Sequence, residues 1–340
     1  MKNDLQREPS PTRDSLTRDT RGAVYVEFLL AFIPLFFMFL AMLQMGLLYG
    51  ASLVVQHSSN VAVRAAMVVM DDDPDQYDGA TRRSLDTSAG GVSGFSQSAG
   101  SLIGSIFGSS TGTASWTGGA RLNAIEFAAG MPLLPLSPSL MSLGRTGRTE
   151  TVRTALGAGT GDGPEARVAW GIAYNRMALA VTFPQTPNDV SAHRSSFPAP
   201  TDAGDGGPIT ARVTYLYNCQ IPLANRLMCD DLFFIRFGID PGTVSALATA
   251  FANGTITLQQ LQDALAANES RNQRRGRWQP RLDELGNRVN VLAAISGVST
   301  VLGGPSPRFV PILAQATMPM QSAGYCYDGD DTGTGCSWEQ

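Results

Sequence analysis

One carboxylate stands at the edge of the longest apolar run in the chain. Glu27 directly precedes residues 28–43, which are all apolar, and after Gln44 the apolar character continues through Leu48. A run of about 20 such residues is long enough to cross a bilayer as a helix. An ionisable group at its edge is costly unless a partner neutralises it, which makes Glu27 the first candidate functional residue.

A glycine lies five positions before this carboxylate, in the stretch Gly22-Ala23-Val24-Tyr25-Val26-Glu27-Phe28. A cut after Gly22 would create a new amine on Ala23 and make Glu27 the fifth residue of the product. The ammonium of one subunit and the Glu27 carboxylate of a neighbour would then neutralise each other inside the membrane, where each alone is expensive. If Gly22 and Ala23 were such a processing site, this pairing would give Glu27 a role in the register between subunits.

This stretch and the hydrophobic helix after it resemble the processing site of TadE-family pseudopilins, which belong to the tight-adherence (Tad) pilus systems. The resemblance covers only the beginning of the chain. It implies cleavage by a prepilin peptidase on the cytoplasmic side of the membrane. Its other implied partners are pilins, other pseudopilins and inner-membrane pilus assembly proteins. A strand that ends in an Ile-Pro-Leu turn at 221–223 is a second, less specific similarity to TadE-type sequences.

Two other interpretations of the same stretch stay open. In an uncleaved anchor, Glu27 would mark the interfacial edge of the span and extend its carboxylate to the headgroups. A secretory signal peptide is the other interpretation. It fits less well, because the apolar run is longer than the usual apolar region and no small-x-small cleavage site follows it promptly.

The charges on either side of the run predict its orientation. Residues 1–22 carry Lys2 and four arginines among acidic residues and prolines, which predicts a disordered cytoplasmic leader. Beyond the run the first basic residue is Arg64, and an acidic group begins at Asp71. The positive-inside rule therefore predicts a cytoplasmic N-terminus and an exported C-terminal domain. With this orientation, the TadE resemblance implies a single-pass protein of the bacterial inner membrane, whose C-terminal domain is periplasmic or extracellular and in some settings associated with a pilus.

One helix is predicted to pass from lipid into the exported domain. Residues 23–50 form the transmembrane part, where Gly46 and Gly50 make a small-xxx-small pair that lets a partner helix approach closely. The ordinary composition of membrane helices explains this pair equally well. Residues 51–73 lack proline and glycine and keep apolar residues near helical spacing, so the helix is predicted to continue to Pro74.

Composition divides the rest of the chain into two parts. Residues 74–165 are rich in glycine, serine, threonine and proline, which predicts a flexible insertion with loops covering a core at 121–143. Residues 166–340 are predicted to form an exported α+β domain with a small antiparallel sheet. Together with the long helix, this is a pilin-like α+β architecture.

Three strands and two helices are predicted in the second part. β-branched and aromatic residues favour β structure from Ala166 to Pro184, alternation favours a half-buried strand over 209–217, and Arg308–Met318 is a candidate edge strand because Pro311 cannot donate. A helix is predicted over 241–252, and another begins at Thr257, which has the capping-box spacing to Gln260.

The four cysteines form two pairs with the same spacing, Cys219 with Cys229 and Cys326 with Cys336. Three connectivities are possible, and an oxidising exported compartment favours bridges, of which we prefer the two local ones. Free structural thiols are the alternative. The spacing does not suit a zinc site.

An acidic pattern near residue 330 matches several ligand positions of a twelve-residue calcium loop, with Asp328, Asp330, Thr332 and Glu339 as the candidate ligands. No exiting helix is predicted after it, so a solvated acidic loop is the favoured interpretation and no metal or other cofactor is predicted.

Other chemistry finds little support in the sequence. The net charge of −4 and the scattered basic residues argue against nucleic acid. There is no Gly-x-Ser-x-Gly elbow, and His57 and His193 have no ligand cluster around them, so no enzyme is predicted. The sequence predicts a minor pseudopilin or structural assembly component. The alternative is an uncleaved, membrane-anchored periplasmic binding protein or enzyme.

Overall fold

The structure is a computed structural model of the 340-residue chain. It describes residues 21–86, 91–93, 115–117, 119–139, 163–186, 193–197, 208–232, 241–257, 259–260, 263–264, 284–286, 288–289, 292–293 and 307–319. The leader before Arg21, the second cysteine pair and the predicted calcium loop lie outside these residues, so their predictions stay untested.

The described residues form an α+β fold. Its helices are α1 Arg21–Asp71, α2 Ala120–Gly130, α3 Pro164–Ala178, α4 Ala224–Met228 and α5 Pro241–Ala252. Short 3-10 helices span Pro74–Tyr77 and Met131–Leu136. The strands are β1 Gly91–Ser93, β2 Ser115–Thr117, β3 Leu179–Thr182, β4 Ile209–Asn218, β5 Asp230–Asp231 and β6 Arg308–Met318.

The N-terminal helix is continuous, as predicted. α1 has 51 residues with Pro34 inside it, and at 1.5 Å per residue it is about 76 Å long. It ends at Asp71, just before the proline that was predicted to stop it. The 3-10 helix then starts at Pro74, where the Asp73 carboxylate accepts a hydrogen bond from the backbone N–H of Asp75 (3.1 Å).

The second half of α1 is the central element of the hydrophobic core. One stripe of it is buried at near-helical spacing, and its members are Ala51, Val55, Ser58, Ala62, Ala66 and Met70. Most of these side chains are small, so the helix lies close to β4 and β6, both of which it contacts. The extension of the helix into a packed domain is therefore present in the structure.

The main sheet has four antiparallel strands in the order β3-β4-β6-β5. β4 and β6 pair along their whole length, from Ile209 with Met318 to Asn218 with Phe309. Both strands were predicted. β6 is third in the order, so the prediction that it is an edge strand is wrong. β5 pairs only with Phe309 and Arg308 of β6, so among the described strands only β4 lies beside Pro311 and its missing donor is tolerated.

The prediction that β4 is half-buried is wrong. Nine of its ten residues are buried, and only Thr210 is partly exposed. Tyr215 meets Tyr174 of α3 in an edge-to-face contact on one side. Arg212 lies on the other side because side chains alternate along a strand, and there it binds Glu284 (2.8 Å). A second layer therefore covers the face that alternation had assigned to solvent.

The prediction of β structure from Ala166 is wrong for its first part. α3 occupies this region up to Ala178, and β3 begins at Leu179. Pro164 stands in the first turn of α3, where its missing N–H costs nothing, and the buried residues Trp170, Tyr174 and Met177 recur at helical spacing. The aromatic residues that suggested a strand therefore form the packed face of a helix.

Residues 119–139 of the predicted flexible insertion carry regular structure. α2 buries Leu122, Ile125 and Ala129 against the core, and the 3-10 helix that follows buries Leu133. Of the prolines that suggested loops, Pro132 lies in the first turn of this 3-10 helix, where no N–H is needed, and Pro135 lies inside the helix. Two short strands of the same predicted insertion, β1 and β2, pair with each other before residue 119.

The predicted helix over 241–252 is confirmed as α5. The capping box is present as well. The backbone N–H of Thr257 donates to Gln260 Oε1 (2.8 Å), and the backbone N–H of Gln260 donates to Thr257 Oγ1 (3.3 Å). This reciprocal pair shows that local spacing alone can identify a helix start.

Candidate functional site

The first half of α1 stands free of the domain. Every residue from Tyr25 to Phe39 is exposed, including Leu30 at 72% and Leu35 at 61%. A helix that is apolar on all sides, with no other described element packed on it, is not stable in water as a surface element. The chain therefore has one N-terminal helix that is long and apolar enough to cross a membrane.

Two tyrosines flank the apolar run of α1. Tyr25 is 72% and Tyr49 68% exposed, and their separation of 24 residues corresponds to about 36 Å of helix. The hydrocarbon core of a bilayer is about 30 Å thick, and tyrosine is enriched at both of its interfaces. The distance between these rings matches a helix that crosses one bilayer.

The predicted processing site lies at the N-terminal end of this stretch. α1 starts at Arg21, so the bond between Gly22 and Ala23 is in its first turn. Glu27 follows one turn later and is exposed, and among the described residues no hydrogen bond or ion pair to it is recorded. The structure thus brings the three residues together at one end of the apolar helix, with the carboxylate open to a partner.

Gly46 and Gly50 lie on a face of α1 that the domain leaves open. A Cβ atom built on either glycine meets nothing within 4 Å. Met42, Tyr49 and Leu53, at helical spacing from the glycines, are 62%, 68% and 55% exposed. This strip has the small residues that close helix packing needs, and its predicted role remains untested.

The one polar residue in the apolar run marks the point where the domain first holds the helix. Gln44 is fully buried, and its Oε1 accepts a hydrogen bond from the backbone N–H of Ile221 (3.2 Å). Its Nε2 has no partner among the described groups. The sequence contained the signal, a single amide inside an apolar helix, but not the partner 177 positions away.

A disulfide bridge closes the segment that Gln44 holds. Cys219 and Cys229 are bonded, with their Cα atoms 6.5 Å apart, and both residues are buried. This confirms the predicted local pairing for the first pair. The bridge ties the end of β4 to the residue after α4, so the turn between them is fixed at both ends.

The C-terminal end of α1 is held by a buried arginine that sequence reasoning missed. Arg121 of α2 is 1% exposed and donates to the backbone carbonyls of Val69, Asp72 (3.0 Å) and Ala80 (3.0 Å). Its guanidinium also lies over the Tyr77 ring, 4.6 Å from the centroid. Burial is the main cause that lowers the pKa of Arg121. The last carbonyls of a helix lack internal partners. Here Arg121 is the partner of the Val69 carbonyl, and the backbone N–H of Arg83 is the partner of the Met70 carbonyl (2.9 Å).

A small cleft lies beside α2 and α3. Glu126 and Arg288 form an ion pair on its wall (2.7 Å), and Phe127 and Met131 add exposed apolar surface. Burial raises the pKa of Glu126, and the Arg288 guanidinium opposes this effect. No spacing pattern indicated this pair in advance, because its members are 162 positions apart.

The histidines do not form a site. His57 is exposed on α1, and His193 lies in a bridge opposite Pro184. Among the described residues there is no group of three or more histidine, cysteine, aspartate or glutamate side chains that could hold a metal ion.

Comparison with known proteins adds no relative, because no family model, curated protein or solved structure matches the chain.

Proposed function

We propose that this chain is a minor pseudopilin, a structural assembly component of a Tad-type pilus or related secretion system. The observation that carries the proposal is the division of one helix into a free apolar half and a half packed into an α+β domain. A free apolar helix is stable only in lipid or against other helices, and a pilus subunit meets both environments. The N-terminus is cytoplasmic and the α+β domain is exported.

Processing after Gly22 gives the exposed carboxylate its partner. The new amine of Ala23 would lie four residues from Glu27, about 6 Å along the helix axis. A neighbouring subunit displaced by about this distance brings its amine beside the first subunit's carboxylate. The strip at Gly46 and Gly50 is open for the helix of that neighbour.

The mass of the mature protein tests the processing step. The protein is extracted from the membranes of its host, with the prepilin peptidase present or deleted, and its intact mass is measured. We expect an N-terminus at Ala23 only when the peptidase is present. Gly22→Val should block cleavage, whereas Gly46→Val, the same change at a glycine with free space around it, should leave cleavage unchanged. Retention of residues 1–22 in the presence of the peptidase would overturn the proposal.

Substitution of Glu27 tests the assembly step. Glu27→Ala and Glu27→Gln should both insert into the membrane, because Glu27 is exposed and has no recorded hydrogen bond or ion pair to the described part of the domain. Both should weaken co-purification with other pilus subunits by about tenfold or more. Glu27→Asp keeps the charge and serves as the matched control. Unchanged piliation and co-purification in the alanine variant would count against the counter-ion role.

The cleft beside α2 and α3 favours a second function. Its buried ion pair and exposed apolar residues, Phe127 and Met131, are features of small binding sites. In that case the chain is an uncleaved, membrane-anchored periplasmic binding protein. The same mass measurement separates the two, since the anchored protein keeps its first 22 residues.

A further inference from the structure

The disulfide closes residues 219–229, a turn that includes α4, and this turn lies at the level of the apolar run of α1, not above it. Gln56 of α1 donates to the carbonyl of Gln315 (3.0 Å), which pairs with Arg212 in the sheet. Gln44 of α1 accepts from Ile221. From Arg212 to Ile221 the chain therefore moves along α1 toward its N-terminal, free half.

The depth of this turn follows from the tyrosine that marks the exported interface. Gln44 precedes Tyr49 by five residues, which is about 7 Å along the helix toward the free half. Tyrosine rings prefer the headgroup level of a bilayer. The backbone of Ile221, bonded to Gln44, is therefore at or just inside the boundary of the hydrocarbon core. This step depends on the membrane anchoring that is part of the proposed function.

The side chains of the turn suit that depth. Leu223 is 44% and Leu227 74% exposed, and Pro222 is also exposed. Arg226, between the two leucines, is exposed and basic. Exposed leucines beside a basic residue are the composition of segments that lie in a membrane interface, where the apolar groups enter the acyl boundary and the cation meets anionic headgroups.

The turn is held in one shape. Leu223 has φ 69° and ψ −53°, and the backbone N–H of Ala224 donates to the carbonyl of Pro222 (2.9 Å), which is a strained γ-turn. The N–H of Cys229 donates to the carbonyl of Asn225 (3.0 Å), and the disulfide joins the two ends. A segment fixed in this way presents its leucines without a further loss of conformational entropy on contact with lipid.

We propose that residues 221–228 are a second membrane contact of this protein, a rigid turn that rests in the exported headgroup layer and inserts Leu223 and Leu227 toward the acyl chains. The partner is the phospholipid bilayer itself. The contact fixes the tilt and rotation of the domain relative to the membrane, because a helix alone leaves the domain free to rotate about the helix axis.

Site-specific photolabelling tests this inference in the full chain. A diazirine-bearing amino acid is placed at position 227, 30 or 68, the protein is reconstituted in phosphatidylethanolamine and phosphatidylglycerol vesicles, and lipid adducts are counted by mass spectrometry after irradiation. The native residues Leu227, Leu30 and Val68 are 74%, 72% and 68% exposed, so exposure is matched. Intact mass before irradiation verifies that the disulfide is formed.

We expect adducts at position 227 to approach those at position 30 and to exceed those at position 68 by about tenfold or more. Labelling at 227 no greater than at 68, with position 30 labelled, would overturn this contact and leave the anchoring intact. Labelling at neither 227 nor 30 would overturn the anchoring and this inference with it. Cross-links from 227 to a second copy of the chain, in place of lipid, would also overturn the lipid assignment.

Discussion

The two halves of α1 differ in composition and have opposite surroundings. From Tyr25 to Phe39 every residue is exposed, whereas from Ala51 to Met70 one stripe of the helix is completely buried. The packed half also contains polar groups that bind other elements, such as Ser58, whose hydroxyl donates to the carbonyl of Ala129 (2.6 Å). In the free half no such contact to another described element is recorded before Gln44.

This difference shows how one helix can suit both a water-exposed domain and a lipid environment. The packed half is amphipathic, with small residues toward the sheet and a polar face toward water, and its polar side chains make hydrogen bonds that fix its position. The free half is apolar on every side, so it has no preferred face and depends on lipid or neighbouring helices for burial. Gln44 is the boundary between the two regimes.

The largest expected effect is a buried charge in the packed half. Val63→Asp places a carboxylate at a position with 0% exposure, and we expect the domain to lose more than about 4 kcal/mol of stability and fail to fold. Val68→Asp, five residues later on the exposed side, is the matched control and should change little. Near-UV circular dichroism and protease resistance in detergent measure the result. An equally folded Val63→Asp protein would contradict the packing of α1 in the core.

The same aspartate in the free half should have a different consequence. Leu35→Asp lies near the middle of the exposed run, where a charged residue costs about 2.5 to 3.5 kcal/mol of membrane insertion. We expect the membrane-integrated fraction to fall while the folded domain and its disulfide stay intact. Alkaline extraction of membranes, followed by the mass of the disulfide-linked peptide, separates the two effects. Loss of the domain fold would show that the halves are not independent.

A smaller loss is expected at the point where the packed half ends. Arg121→Met removes the donor to three backbone carbonyls, and we expect a loss of about 2 to 4 kcal/mol. Arg121→Lys keeps the charge but cannot reproduce the planar fork, so it should recover only part of the loss. Chemical unfolding in detergent gives both values. If the methionine variant were as stable as the native protein, Arg121 would not act as the cap of α1.

Glycine substitutions at two nearby positions of the turn should change the stability of the domain in opposite directions. Leu223→Gly relieves a positive φ and should stabilise the domain by about 1 kcal/mol. Leu227→Gly lies inside α4 and should destabilise it by about the same amount. Both variants lose one exposed leucine, so each is the control for the other when unfolding is followed in detergent. Two changes of the same sign would contradict the strained turn.

The smallest effect is a pH dependence in the domain. Burial raises the pKa of Glu126, so between its unfolded and folded pKa values the folded state binds more protons than the unfolded chain. The contribution of this group to stability therefore decreases as pH rises through that range. Glu126→Gln should remove this part of the pH slope, measured as unfolding midpoints from pH 4 to pH 8 in detergent. If the stability of both proteins had the same pH slope, the raised pKa of Glu126 would be contradicted.

Local patterns predicted the elements whose signal lies within a few residues. The apolar run, the alternation of β4, the capping box at Thr257 and the disulfide between Cys219 and Cys229 all depend on near neighbours. α3 was missed because its aromatic residues were interpreted as β-formers, although Trp170, Tyr174 and Met177 recur at helical spacing.

Contacts between distant parts of the chain had no local signal. Arg121 and Arg212 are charged residues that composition assigns to the surface, and they are buried because carbonyls or a carboxylate from other elements surround them. The second buried face of β4 likewise depends on Glu284, which is 72 positions away from Arg212. Only tertiary structure brings such partners together.

The most direct test of membrane anchoring is to measure whether lipid or water surrounds each half of α1. Leu35 and Val68 are similarly exposed, at 61% and 68%. Membrane anchoring places Leu35 in lipid and Val68 in water. A fluorescent amino acid at each position is quenched, in vesicles, by brominated lipid or by a water-soluble nitroxide. We expect lipid quenching at 35 and aqueous quenching at 68, and equal aqueous quenching at both positions would contradict the membrane anchor.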